Sequence, residues 1–103
     1  MTAYKEIWID TDNEQHMCAL INGNRGILMN LPDEEGNSFT SRNDNYSGDS
    51  NERVEFLLDN GQVDCYPLSW CLPVEIVEQA LEYFKAENKL PPFITWHDDN
   101  KSD

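Results

Sequence analysis

The chain has 103 residues, 39% of them hydrophobic and 11% aromatic, which makes one domain with a single modest core. Twenty Asp and Glu stand against seven Lys and Arg, a formal net charge of −13. That balance argues against nucleic acid and anionic membrane as direct partners, because phosphate is held by Lys and Arg. Three scattered cysteines and two histidines give neither a disulfide framework nor zinc spacing. No apolar run reaches transmembrane length, and the first residues lack the basic-then-apolar pattern of a signal peptide. The expectation is a soluble cytoplasmic protein with no metal and no other cofactor.

Residues 4–10 alternate as a strand, with Ile7 and Ile9 on one face and Trp8 on the other. Asp10, Asp12 and Glu14 superficially resemble a calcium loop, but the turn glycine and the distal Glu are missing. Residues 16–21 and 25–31 form two further strands around Asn22-Gly23-Asn24, a tight-turn signal because Asn and Gly tolerate positive φ. Residues 32–37 are an acidic loop and 39–41 a short strand. Residues 42–52 are rich in Asn, Asp, Ser and Gly, with Tyr46 as the one apolar group, and read as loop. Val54, Phe56 and Leu58 share the buried face of the next strand. Asn60-Gly61 turns the chain into residues 62–66, where Val63 and Cys65 oppose Tyr66. Pro67 ends the ladder or marks an edge.

The helical segment has clear signals at both ends. Pro73 suits the first helical position, where its missing N–H does no harm. Val77, Ala80, Leu81 and Phe84 repeat at i, i+3, i+4 and i+7. Glu75 and Glu78 lie toward the positive end of the helix dipole, Lys85 and Lys89 toward the negative end. Asn88 suits a left-handed cap, and Pro91-Pro92 forbids continuation. Residues 93–96 make a last strand. The predicted fold is α+β: a five- to six-stranded antiparallel meander packed by one main C-terminal helix, with a final short strand. Residues 1–97 form the domain and 98–103 a flexible acidic tail. The sheet face away from the helix would present Trp8 and Tyr66.

Catalytic patterns are missing. There is no Gly-rich phosphate loop, no nucleophile elbow and no zinc-protease helix motif. His16 reads as a turn residue, and each cysteine sits among apolar neighbours as a small core hydrophobe. Across residues 32–60, Asp33, Glu34, Glu35, Asp44, Asp49, Glu52, Glu55 and Asp59 stand against only Arg42 and Arg53. Acidic charge gathered on loops has two readings: a solvated surface that keeps a small domain soluble, or a surface complementary to a basic protein.

From about Phe39 onward the order of features resembles a known family. A sheet segment passes through Asn60-Gly61-Gln62 into Tyr66-Pro67 and Trp70. Pro73-Val74-Glu75 opens a helix carrying Ala80 and Tyr83-Phe84, and Leu90-Pro91-Pro92-Phe93-Ile94-Thr95-Trp96 closes the pattern. This looks like the immunity-protein family of bacterial polymorphic toxin systems that is usually encoded beside deaminase-type toxins. Many members have a Gly before the Pro turn, where Asn88 or Lys89 stands here. The resemblance implies a non-enzymatic antitoxin. Its partner would be a cognate toxin domain with a basic surface, most readily a nucleic-acid deaminase. One monomer would sit in the complex, although the sequence leaves the oligomeric state open. The partner-binding residues would be Asp33, Glu34, Glu35, Asp44, Tyr46, Asp49 and Glu52, with Asp64 and Trp70 as lesser candidates. The alternatives are a small acidic adaptor or regulatory protein-binding domain, or an inhibitor of a nuclease toxin.

Overall fold

Residues 4–11, 16–31, 38–48 and 51–98 are described by a computed structural model. One strand next to the sheet's edge, β2 (His16–Asn22), explains the layering. Met17, Cys18, Ala19, Leu20 and Ile21 are five consecutive buried residues. A strand can bury every side chain only when both faces are covered, since successive side chains point to opposite sides.

β2 pairs with β1 (Tyr4–Asp10) on one side and with β3 (Arg25–Asn30) on the other, both antiparallel. Gly23, at φ 66°, opens the two-residue loop between β2 and β3, as a tight hairpin requires. β4 (Phe39–Arg42) pairs with the far end of β3. On the other side of β4 lies β8 (Thr95–Asp98), which completes the order β1-β2-β3-β4-β8. A two-residue strand, β7 (Leu72–Pro73), pairs with the beginning of β3. The predicted α+β class, with one main helix and a short closing strand, is what the structure has.

The helix α1 (Val74–Glu87) covers one face of this sheet. Its Val77, Ala80, Leu81 and Phe84 pack with Met17, Ala19, Ile21 and Leu28, and Ile7, Ile9 and Trp96 border that core. Gly26 lets β3 lie close against β2 beneath the helix. A Cβ there would stand 2.8 Å from the Leu20 carbonyl oxygen and 3.4 Å from Val77 Cγ2. Pro73 stands one residue before the helix and not within it, because its pairing with Arg25 in β7 holds it extended at ψ 142°. Asn88 caps the other end at φ 57°, its N–H donating to the Phe84 carbonyl, as predicted.

The other face is covered by a hairpin. Among the described residues, β5 (Arg53–Leu57) and β6 (Val63–Pro67) pair only with each other and form a second, two-stranded sheet. Phe56 presses onto Cys18, Leu20 and Ile27, with Val54, Leu58 and Tyr66 beside it. The molecule therefore has three layers: helix, sheet and hairpin. This corrects the expectation that Tyr66 is offered on an open face. Tyr66 points inward from the hairpin, its ring 6.1 Å from Phe56. Trp8 does lie on that side of the sheet, at its edge, and is 49% exposed.

The last strand begins at Thr95, two residues later than predicted. Phe93 and Ile94 are used to complete the turn after Pro91-Pro92, where the Trp96 indole N–H donates to the Pro91 carbonyl at 3.0 Å. The strand runs on to Asp98, which pairs with Phe39.

Candidate partner-binding surface

After β4 the chain enters the loop 43–48, which is fastened to a 3-10 turn at Leu68–Trp70. The Asn43 N–H donates to the Ser69 carbonyl at 2.8 Å, and the Leu68 N–H donates to the Glu52 carbonyl at 2.8 Å. Both ends of the loop region thus hang on one turn, and Asp44, Tyr46 and Glu52 share one end of the molecule. Asp44 and Glu52 are exposed. The Asp44 carboxylate accepts a hydrogen bond from the Thr95 hydroxyl, which ties the loop to β8. The Tyr46 ring lies over Gly48, where a Cβ would stand 2.6 Å from the phenol oxygen.

Tyr46 also walls a cleft of about 400 Å³. Leu68, Cys71 and Leu72 line its apolar part, and Asn24, Arg25, Asn43 and Glu75 supply polar groups. The Asn24 carbonyl is already used by the Val74 N–H at the start of the helix. The cleft thus combines an aromatic wall, amides and one charge of each sign. That composition suits a protein side chain inserted from outside.

Trp70 is part of the scaffold beneath this loop. Its ring packs 5.8 Å from Tyr66 and carries the Arg42 guanidinium 4.0 Å from its centroid. Its carbonyl accepts from the Ser41 hydroxyl, which accepts in turn from the buried Leu28 N–H. Asp64 stands apart from the loop, on the hairpin, where it accepts from the Gln62 amide at 2.7 Å. Burial, followed by the negative charge of Asp64, pushes the Tyr66 phenol above its ordinary range. Asp33, Glu34, Glu35 and Asp49 lie outside the described residues.

Sequence reasoning missed Asn24, Arg25 and Glu75 as lining of the cleft. They come from a turn and a helix start that only the fold brings beside Tyr46. It also left unnoticed the setting of Trp8. The Trp8 indole N–H donates to one oxygen of Glu6 at 2.5 Å, and the other oxygen accepts from the Asp59 N–H at 2.8 Å. Those two hydrogen bonds hold the Glu6 carboxyl below its ordinary value.

Cys18 and Cys71 are core residues as expected, whereas Cys65 faces outward from the hairpin and is exposed, which corrects its reading as a core hydrophobe. The two buried thiols are poorly placed for nucleophilic chemistry. Burial pushes Cys18 up to about 12 and Cys71 up to about 11, so both are protonated at neutral pH. His16 Nδ1 lies 2.6 Å from Asp10 Oδ1, with Asp10 mostly in solvent and His16 half-buried. Among the described residues no group of three His, Cys, Asp or Glu is arranged to hold a metal ion, and no helix is long and apolar enough to cross a membrane.

The fold is an α+β module with one main helix. Residues 5–98 match the sequence profile of the Immunity protein Imm1 family, and the chain belongs to that family. It is therefore an immunity protein, a class that binds a cognate toxin. No curated protein and no solved structure matches the chain.

Proposed function

We propose that this protein binds a cognate toxin domain in the cytoplasm and silences it without catalysis. In this reading the toxin is a nucleic-acid deaminase. The acidic loops at 32–37 and 43–52 cover its substrate surface. The observation that carries the proposal is the family membership over residues 5–98.

Physical chemistry supports the rest. A toxin that handles nucleic acid needs Lys and Arg to hold phosphate, so its substrate groove is basic. A partner with a net charge of −13 is drawn to that groove and competes with the substrate for it. Asp44 and Glu52 supply exposed carboxylates, and Tyr46 a ring already seated against its own loop. A rigid aromatic anchor inside a charged rim is the arrangement that concentrates binding energy in few residues.

The test is reconstitution with the toxin domain encoded in the adjacent gene. The expected result is a 1:1 complex, loss of deamination of a nucleic-acid substrate, and association that slows as salt rises. A toxin that instead cleaves nucleic acid removes the deaminase assignment alone. Failure to form a complex removes the whole reading.

A further inference from the structure

We infer that the outer edge of β1 is a second part of the toxin-docking surface and receives an extended segment of the toxin as an added strand. The inference rests on the reading of the chain as a toxin-binding protein. β1 pairs with β2 along all seven residues, in one unbroken register with neither bulge nor proline. Among the described residues no strand pairs with its other side. Proteins usually interrupt or shorten such edges, because an open row of N–H and C=O groups invites another strand.

A groove follows this edge. Two clefts of about 320 and 340 Å³ lie end to end between β1 and α1, and both are bordered by Ile7 and Glu78. Ile9 and Leu81 extend the apolar floor one way, and Ile21 and Val74 the other. A strand added to β1 would point alternate side chains into this floor, which is how strand addition obtains specificity.

Charge selects the occupant. Glu78 stands at the middle of the groove with Glu82 one turn on, and Lys5 and Lys85 stand at opposite ends. The fitting segment has aliphatic residues alternating around a central Lys or Arg. A second copy of this chain is a poor occupant, since each copy carries −13. A single toxin domain can reach both surfaces. Gly23 and Val74 border this groove, and their neighbours Asn24 and Pro73 border the cleft beside Tyr46.

The experiment is residue-resolved hydrogen exchange on the protein alone and saturated with the toxin domain from the adjacent gene. Affinities are compared for the native chain and for the double variant Glu78→Lys with Glu82→Lys. Both sites are exposed helix positions, so folding should persist, and thermal melting checks this. The expected result is slower exchange at alternate amides of β1, those directed away from β2, and about tenfold or greater loss of affinity in the variant. A complex that leaves these amides unchanged and binds the variant equally well overturns the inference while sparing the toxin-binding reading. Lack of any complex overturns both. A toxin-free dimer that protects the same amides overturns the assignment of the occupant.

Discussion

Tyr46 is the aromatic anchor of the proposed loop surface. Its replacement by Ala should weaken toxin binding by about 2 kcal/mol, as loss of an aromatic anchor does. Gly48→Ala should act in the same direction, because the new Cβ would meet the phenol within 2.6 Å and force the ring off its seat. Calorimetric titration of the toxin domain checks both, with melting curves to show that the fold is kept. Asp44→Asn with Glu52→Gln should lower the association rate and flatten its salt dependence, while changing dissociation little. Stopped-flow association at two ionic strengths measures this. Trp70 has a different role. With Arg42 on one side and Tyr66 on the other, Trp70→Ala should lower stability by about 2–3 kcal/mol and affect binding only through the fold. Trp8 offers a pH readout. Glu6 titrates below its ordinary value of 4.5 in the folded protein, so its hydrogen bonds are intact above that value and are lost as pH falls through the lowered one. Fluorescence of Trp8 should therefore change with a midpoint below 4.5, and Glu6→Gln should abolish the transition. A midpoint at or above 4.5 would contradict the arrangement.

At the scale of elements, one contact keeps β2 and β3 close and another holds the hairpin to the sheet. Gly26→Ala should destabilise by about 1–3 kcal/mol, since the 2.8 Å clash is with backbone in a packed sheet and has little means of relief. Phe56→Ala should cost about 3–5 kcal/mol and open Cys18, now fully buried, to thiol reagents. Denaturant melts and timed thiol labelling check the pair. These same elements show what the sequence made legible. Strand alternation and the turns at Gly23 and Gly61 were local signals, and so were the helix repeat and its Asn88 cap. Apart from the start of the last strand, these read correctly because short-range chemistry decides them. The departure of β5–β6 from the sheet was not local. Val54, Phe56 and Leu58 announced a buried face, but not which surface would bury it. The clue lay in β2, whose five consecutive apolar residues require cover on both sides. Pro73 was misplaced by one position because a long-range pairing with Arg25 overrode a local preference.

For the whole molecule, the candidate surface was half legible. Composition placed acidic groups on loops, and order of motifs placed the chain in its family. The cleft could not be foreseen, because Asn24, Arg25 and Glu75 meet Tyr46 only after the sheet and helix have closed. Net charge acts at this scale too. At −13 the protein should associate with a basic partner faster as salt is lowered, whichever single carboxylate is removed. The surface cleft and the β1 edge both lie beside the Gly23-Asn24 turn, so one domain seated there would engage charge, anchor and strand edge together. The most direct measurement is nucleic-acid deamination by the toxin domain proposed as partner, titrated with this protein at low and at physiological salt. Stoichiometric loss of activity is expected, with faster association at low salt. Full activity in the presence of excess immunity protein at both salts would contradict it.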